Sequence, residues 1–212
     1  MHVAELWRYP VKSLAGERLD AVDVREDGFP GDRMLRVVDG RGRPLTARTK
    51  PRLLALKAEI DGDDGPLIDG RDWQAPETAR AIAAAAGDGA RLKAAGRDGH
   101  WFDESPLLVA TDGAIQALGY DGRRFRANVV IGGVDGMAER DWDGRRLRAG
   151  SAEIDLGHLC ERCVLTTVDP DTQEQDPEVL KRVNAELDGL FARNCWVVRP
   201  GRIAVGDRVE LL

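Results

Sequence analysis

The stretch Cys160-Glu161-Arg162-Cys163-Val164-Leu165-Thr166-Thr167-Val168-Asp169-Pro170-Asp171 is the most informative part of this sequence. It holds two of the three cysteines in a C-x-x-C spacing, and an apolar, β-branched run follows them. Because β-branched residues favour extended backbone, we expect a strand over residues 163–168. A thiol at the edge of a rigid strand is well placed for metal ligation or redox chemistry.

Composition limits the class of protein. The chain has 212 residues and 42% of them are apolar, so it can form one large domain or two small ones with a real core. The formal net charge is −6, and wholesale nucleic-acid binding is not expected at that charge. No apolar run approaches the roughly 18 residues that span a bilayer, and the first residues show neither the basic region nor the apolar core that is typical of a signal peptide. We therefore expect no membrane association and a cytoplasmic protein with reduced thiols.

Alternation of apolar and polar residues predicts a mainly β chain with few helices. The predicted strands cover residues 3–7, 18–24, 34–38, 55–60, 91–94, 107–110, 128–131, 153–156, 163–168 and 195–198, with a strand–turn–strand unit over 202–212. The predicted helices cover residues 76–86, 111–118 and 177–187, the last opened by the Asp176-Pro177 capping signal. Many short strands favour a β-barrel architecture.

The C-x-x-C pair is compatible with several kinds of site. Cys160 and Cys163 could be two small buried residues, or they could bind zinc together with His158 and Cys195. A thioredoxin-like dithiol is less favoured, because that motif belongs in a βα unit. In the remaining interpretation one thiolate binds a soft transition metal that is carried by an organic cofactor.

Two other groups of residues suit an anionic ligand. Lys12 and Ser13 are adjacent and combine a charge with a hydroxyl, and Arg33 can add a bidentate contact. Arg126 and Asn128 stand two residues apart, so they share one face if the segment is extended. Such a face suits an anion that is rich in hydrogen-bonding groups.

Taken in order along the chain, these motifs resemble the MOSC superfamily, named for the C-terminal domain of the molybdenum cofactor sulfurase. The resemblance is greatest to members with an N-terminal MOSC β-barrel domain, such as the mitochondrial amidoxime-reducing components and their bacterial relatives. The matching motifs are Tyr9-Pro10-Val11-Lys12-Ser13, Gly28, Gly31-Asp32-Arg33, Thr46-Ala47-Arg48 with Pro51, Ser105-Pro106, Phe125-Arg126-Ala127-Asn128, Asp141-Trp142, Cys160-x-x-Cys163, Thr166-Thr167-Val168-Asp169-Pro170, and Pro200-Gly201 with Val205-Gly206-Asp207. The resemblance implies a MOSC-type β-barrel domain at residues 96–212, packed and interleaved with a smaller N-terminal MOSC β-barrel domain at residues 1–95.

The resemblance also implies a molybdenum cofactor, a phosphate-bearing pterin dithiolene, bound between the two parts. Cys163 matches the cysteine that ligates molybdenum in the family. The expected cofactor-binding residues are Lys12, Ser13, Arg33, Arg48, Ser105, Arg126, Asn128 and Glu161. Asp103 and Asp141 are candidates for proton transfer and complete the expected catalytic group with Cys163. Pyridoxal phosphate is not expected.

The chain departs from the family pattern at four positions. Ala127 stands at the usual proline of the Arg-Pro-Asn triplet, and Ala192 stands at a usual glycine. Glu161 and Glu104 stand where relatives have smaller polar residues. Two added carboxylates would repel a dianionic cofactor unless they point away from it, and they bear on the choice of substrate.

The implied activity is reduction of N-hydroxylated compounds (amidoximes, hydroxamic acids and hydroxylamines) by oxygen-atom abstraction at a cysteine-ligated molybdenum. Three cysteines cannot supply a four-cysteine iron–sulfur cluster, and no G-x-G-x-x-G fingerprint is present. Electrons must therefore come from a separate donor protein of flavin, haem or iron–sulfur type.

Two alternatives stay open at this stage. One is a carrier of the molybdenum cofactor, or of a persulfide sulfur on Cys163, without turnover; the nearby Arg162 makes a low-pKa thiolate conceivable. The other is a zinc-stabilised β domain that acts through protein contacts.

Overall fold

Short strands dominate the computed structural model, which describes residues 1–62, 65–96 and 99–212. Within these ranges the strands are β1 His2–Arg8, β2 Val11–Lys12, β3 Glu17–Leu19, β4 Ala21–Val24, β5 Leu35–Val38, β6 Pro44–Leu45, β7 Ala58–Ile60, β8 Pro66–Ile68, β9 Arg71–Asp72, β10 Arg91–Ala94, β11 Leu107–Thr111, β12 Val129–Gly132, β13 Arg146–Ala149, β14 Ala152–Glu161, β15 Leu190–Arg199, β16 Gly201–Ala204 and β17 Val209–Leu211. The α-helices of the same ranges are α1 Pro76–Ala86, α2 Asp112–Leu118 and α3 Pro177–Leu187. Single 3₁₀ turns span Pro51–Ala55, Gly122–Phe125, Ala138–Asp141 and Val164–Thr167. The prediction of a mainly β fold with few helices is confirmed.

One eight-stranded sheet organises the fold, in the order β17-β13-β14-β15-β11-β12-β1-β3. Its neighbours pair antiparallel except β11 and β12, which run parallel. Strands β1 and β3 come from the start of the chain, whereas the other six follow residue 106. The two ends of the chain therefore share one sheet, while a domain division at residue 95 stays a prediction.

Smaller sheets surround this frame. Strand β5 pairs with β10, β2 and β6, and the parallel β2–β5 pair places Lys12 opposite Arg36. Strand β16 pairs with β4, and β7, β8 and β9 form a meander. Pairing to β5 fixes the direction of β2, and with it the position of Lys12.

Three buried apolar clusters hold these sheets in place. The first lies under the large sheet and includes Leu107 and Ile154. The second joins Val11 of β2 to Val168, which lies just beyond the last 3₁₀ turn. The third packs Phe125 and Phe191 beside α2 and α3. Each fully buried side chain of this size stabilises the fold by about 1.5–3 kcal/mol, and the second cluster anchors the segment after Cys163 to the N-terminal sheet.

The helix predictions are confirmed. In α2 the Thr111 side chain accepts from Ala114 N, and in α3 the Asp176 side chain accepts from Glu178 N. These caps satisfy backbone donors that the first helical turn leaves free. None of the helices in the described ranges is long and apolar enough to cross a membrane.

The strand predicted over residues 163–168 is wrong, because Val164–Thr167 forms a 3₁₀ turn. The Thr166 hydroxyl donates to the Cys163 carbonyl at 2.9 Å, and the Thr167 hydroxyl donates to the Val164 carbonyl at 2.7 Å. Such local bonds compete with strand pairing and here override β propensity. Cys163 therefore lies beyond the end of β14 and not on a strand edge.

Other strand limits also differ from the prediction. Residues 18–24 divide into β3 and β4, which pair with β1 and β16 respectively. The predicted strand over 55–60 begins only at Ala58, because Pro51–Ala55 is a 3₁₀ turn. Strands β14 and β15 run ten residues each, longer than predicted, and register shifts bend their pairing.

Candidate functional site

A cavity of about 290 Å³ collects the sequence-predicted site residues. Its lining residues are Lys12, Ser13, Arg33, Thr46, Arg48, Phe102, Asp103, Glu104, Ser105, Leu108, Phe125, Arg126, Asn128, Cys160, Glu161, Arg162, Cys163, Leu165 and Asn194. Every predicted site residue except Asp141 is among them. The two halves of the chain thus build one cavity together.

The Cys163 sulfur contacts a cation from the N-terminal part of the chain. Arg48 Nε donates to Cys163 Sγ at 3.3 Å, and Arg48 Nη2 donates to Asp103 at 3.2 Å. Lys12 Nζ donates to the other oxygen of Asp103 at 2.7 Å. The contact with the sulfur raises the pKa of Arg48, so this guanidinium stays charged beside the thiol.

Asp103 lies between two permanent cations. Burial alone would raise the pKa of Asp103, but the hydrogen bond and charge of Lys12, with the charges of Arg48 and Arg33, outweigh burial and lower the pKa. Asp103 is therefore ionised at neutral pH. An ionised carboxylate in this position orients Lys12 and Arg48, which favours an ion-pairing role over proton donation.

A buried hydrogen-bond network fixes Arg33 and Asn128. Asn128 Oδ1 accepts from Arg33 Nη1 and from Leu108 N, each at 3.1 Å. Asn128 Nδ2 donates to Trp7 O and to Asp32 Oδ2, each at 3.2 Å. Asp32 also accepts from Arg33 Nη1. All four hydrogen-bonding positions of the Asn128 amide are used, so this side chain is held rigidly.

Two guanidinium groups enclose the buried ring of Tyr9. Arg33 and Arg126 lie 4.6 Å and 4.2 Å from the ring centroid. Burial raises the pKa of Tyr9 to about 12 and lowers the pKa of Arg126 to about 10. The Tyr9 hydroxyl therefore stays neutral and Arg126 stays cationic at neutral pH. Arg126 Nη1 donates one hydrogen bond to Leu14 O at 2.8 Å.

The condition under which Arg126 and Asn128 would share one face of an extended segment is not met, because Arg126 has a left-handed backbone with φ 55°. It ends the 3₁₀ turn Gly122–Phe125 and does not continue a strand. Arg126 and Asn128 nonetheless both line the cavity. Arg126 reaches the cavity from the end of the turn and Asn128 from the residue before β12, so the alternation of side chains along a strand does not explain their shared position.

A second network lies on the β14–β15 side of the cavity. His158 Nε2 lies 2.6 Å from Glu104 Oε1, and Asn194 Nδ2 donates to Glu104 Oε2 at 3.1 Å. Ser105 Oγ lies 2.9 Å from Asn194 Oδ1. Asn194 is only 3% exposed, so it anchors Glu104 and Ser105 from within the protein.

Cys160 and Arg162 complete the lining beside Cys163. Arg162 Nη1 donates to Cys160 Sγ at 3.4 Å, and Arg162 Nη2 donates to Phe125 O at 2.8 Å. The Nε atom of Arg162 is buried and has no hydrogen-bond partner among the described residues. A buried donor without a partner costs about 1–3 kcal/mol.

The structure does not bring Asp141 to the cavity. Asp141 is exposed at the end of the Ala138–Asp141 turn, while its neighbour Trp142 is buried in the first core cluster. The tetrahedral zinc group is not formed either. Cys195 is fully buried on β15, burial raises its pKa to about 12, and no group of three metal-ligating side chains occurs among the described residues.

Two lining residues, and one residue that hydrogen-bonds to lining residues, went unrecognised as site residues in the sequence. Asp32 is the acceptor between Arg33 and Asn128, and Arg162 and Asn194 face the cavity. The Gly31-Asp32-Arg33 motif contained a signal for Asp32. The signal for Asn194 was weaker, and consisted of a polar amide in a mostly apolar strand.

Two family models together span the chain. The MOSC domain matches residues 102–210, and the MOSC N-terminal beta barrel domain matches residues 1–105. The chain belongs to the MOSC family. This confirms the resemblance that the motifs indicated.

Curated relatives of this MOSC protein match over nearly its whole length. Mitochondrial amidoxime-reducing component 1 of Homo sapiens is 29% identical, covering 99% of this chain and 82% of the relative. Mitochondrial amidoxime reducing component 2 of Homo sapiens is 27% identical, covering 98% and 82%. The molybdenum cofactor sulfurase of Caenorhabditis elegans is 25% identical over 84% of this chain and 30% of the relative. Among solved structures, the YuaD protein from Bacillus subtilis aligns with a TM-score of 0.49 at 15% identity, covering 99% of this chain and 93% of that chain.

The cavity of this MOSC protein fits a phosphate-bearing pterin dithiolene. The set of donors combines a soft sulfur with guanidinium and ammonium groups, which suit a soft metal and a phosphate respectively. Lys12 has one described partner for its three N–H groups, Arg126 has one for its five, and Arg162 Nε has none. The protein thus keeps unused donors for an anionic group.

Proposed function

We propose that this protein is a molybdenum-cofactor-dependent reductase that removes the oxygen from N-hydroxylated compounds such as amidoximes, hydroxamic acids and hydroxylamines. One observation carries the proposal: the Cys163 thiol lies in a cavity with the cations of Lys12, Arg33, Arg48 and Arg126. The names of the relatives, amidoxime-reducing components and a molybdenum cofactor sulfurase, agree with this chemistry.

In this proposal Cys163 would ligate molybdenum. Lys12, Ser13, Arg33, Arg126 and Asn128 would hold the pterin and its phosphate, with Arg48, Ser105 and Glu161 beside them. The bound cofactor supplies oxygen-atom and electron transfer. Two electrons and two protons convert each N–OH group to N–H and release one water.

The residues of the chain itself orient and charge the site. Arg48 holds the sulfur of Cys163, and Asp103 holds Arg48 and Lys12 in turn. Asn128 fixes Arg33 within a buried network. These contacts fix the direction of the cationic groups, and such preorganisation lowers the cost of binding a ligand.

The electrons come from a separate donor protein of flavin, haem or iron–sulfur type. The chain has three cysteines, fewer than a four-cysteine cluster needs, so an iron–sulfur relay of its own is not available. Cytoplasmic location and the domain limits at residues 95 and 96 stay predictions from the sequence.

Metal analysis tests the proposal. The wild type and Cys163→Ala would be produced in a host that makes molybdenum cofactor and analysed by inductively coupled plasma mass spectrometry. We expect molybdenum at about one per chain in the wild type and its loss in the variant, because one thiolate provides the protein ligand. Reduction of benzamidoxime with an artificial electron donor should follow the same pattern.

The alternatives give different results in the same experiment. A persulfide mass on Cys163 without molybdenum would support a sulfur carrier, and stoichiometric molybdenum without turnover would support a cofactor carrier. Zinc at one per chain, or wild-type turnover in Cys163→Ala, would overturn the assignment.

A further inference from the structure

Glu104 differs from its neighbour Asp103 in how its charge is balanced. Asp103 contacts Lys12 and Arg48, which are permanent cations. Glu104 contacts only His158 and Asn194, and no lysine or arginine pairs with it among the residues that the structure describes. Glu161 also lines the cavity without a lysine or arginine partner among these residues, but no side chain among them contacts its carboxylate, so Glu104 is the unpaired carboxylate that neighbouring side chains hold in place.

The Glu104 carboxylate is held in place and still has acceptor capacity. Each oxygen accepts one contact, Oε1 from His158 at 2.6 Å and Oε2 from Asn194 at 3.1 Å. A carboxylate has about four acceptor positions, so one on each oxygen remains free. Half of the side chain is exposed (52%), which leaves these positions open to a molecule in the cavity.

A carboxylate with one free position on each oxygen matches a planar N–C–N group. Two parallel N–H donors of an amidinium or guanidinium can contact both oxygens, as arginine does with carboxylates. Reduction of an amidoxime or an N-hydroxyguanidine yields an amidine or a guanidine, a strong base that takes up a further proton from water to become such a cation, whereas reduction of a hydroxamic acid yields a neutral amide. A fixed anion in the cavity wall favours a reaction in which positive charge develops inside the cavity.

We propose that Glu104, held by His158 and Asn194, is a specificity-determining residue that selects N-hydroxylated amidines and guanidines over hydroxamic acids. The inference rests on the proposed function, since it names the substrate class that this cavity prefers.

Binding of product analogues tests the proposal independently of turnover. Benzamidine is the cationic probe and benzamide its neutral counterpart, both titrated by calorimetry into protein of measured molybdenum content. We expect Glu104→Gln to weaken benzamidine binding about fivefold, the upper range for one partly exposed ion pair, with benzamide unchanged. Rising salt should weaken benzamidine binding to the wild type and have less effect on the variant.

Glu174→Gln is the matched control, because Glu174 is exposed and does not line the cavity. It should leave both affinities at the wild-type value. Benzamidine binding that is equal in wild type and Glu104→Gln, or wild-type protein that binds benzamidine no better than benzamide, would overturn the proposal.

Kinetics separates this inference from the proposed function. The ratio of kcat/KM for benzamidoxime to that for benzohydroxamic acid should fall about fivefold in Glu104→Gln, in line with the loss of one ion pair. An unchanged ratio with normal turnover would overturn the role of Glu104 and leave the reductase intact. Binding that prefers benzamidine to benzamide, without any reduction of benzamidoxime, would support the role of Glu104 and overturn the reductase.

Discussion

Arg48 and Cys163 are 115 residues apart in the sequence, yet Arg48 Nε lies 3.3 Å from the Cys163 sulfur. The same guanidinium contacts Asp103 through Nη2. One planar side chain thus joins the thiol to the ion pair of Lys12 and Asp103. This geometry needs two separated N–H donors, which arginine has and lysine lacks.

Replacing Arg48 should therefore impair the site without unfolding the protein. We expect Arg48→Ala to lower kcat/KM for benzamidoxime about tenfold, the size of one charge-assisted hydrogen bond. Arg48→Lys should recover only part of this loss. Arg52→Ala is the control, because Arg52 is exposed in the Pro51–Ala55 turn and lies outside the cavity. An equal loss in Arg52→Ala would contradict the role given to Arg48.

The two cysteines of the C-x-x-C pair should respond differently to substitution. Cys160 contacts Arg162 and backbone, whereas Cys163 is the proposed ligand. We expect Cys160→Ala to keep molybdenum near one per chain and turnover within about threefold of the wild type, the usual size of a mild substitution. Metal content and benzamidoxime reduction, measured on the same samples, check this. Complete loss of molybdenum from Cys160→Ala would contradict this difference between the two thiols.

The lowered pKa of Asp103 makes its stabilising effect depend on pH. Because the folded pKa lies below the unfolded value of about 3.9, the contribution is fully present above that value and is lost as pH falls through the folded pKa. We expect Asp103→Asn to reduce the free energy of unfolding at pH 7 and to have little effect near the acid limit of stability. Urea unfolding across this range gives the measurement. In a Lys12→Met background the pH-dependent difference should shrink, and a difference that grows towards low pH would contradict the ion pair.

Asn128 should tolerate no charge. In Asn128→Asp, an oxygen would replace the Nδ2 donor that faces Trp7 O and Asp32 Oδ2. Two buried acceptors would then face a third, so we expect a loss of about 2–4 kcal/mol in the free energy of unfolding. Urea denaturation measures this loss, with Asn184→Asp on the exposed face of α3 as control. Equal stability of the two variants would show that the network is not rigid.

Short motifs predicted most of the cavity, because each places its side chains through local backbone geometry. Lys12 ends β2, Ser13 follows it directly, and Asn128 immediately precedes β12. The Asp141-Trp142 motif led to the prediction of Asp141 as a site residue, but the buried residue of this pair is Trp142. That motif reports packing of the core, which sequence spacing alone does not distinguish from a site.

Two features were not predicted from the sequence. The Glu104 contacts depend on long-range pairing, and the turn after Cys163 depends on competition between side-chain hydrogen bonds and β propensity. Glu104 reaches His158 and Asn194 across 54 and 90 residues, and no local pattern links them. The 3₁₀ turn after Cys163 forms because two threonine hydroxyls satisfy carbonyls three residues back. β Propensity predicts the opposite there, since it does not include such side-chain bonds.

The sharing of one cavity by both ends of the chain sets the order of events during biosynthesis. The cationic residues from Lys12 to Arg48 leave the ribosome early, but the proposed ligand Cys163 and the neighbouring strand β15 follow much later. The edge of strand β1 that pairs with β12 also stays unpaired until β12 has been synthesised. A cofactor held by both groups of residues, as proposed, would therefore bind only after Cys163 and β15 have been synthesised, so it would meet a largely folded polypeptide.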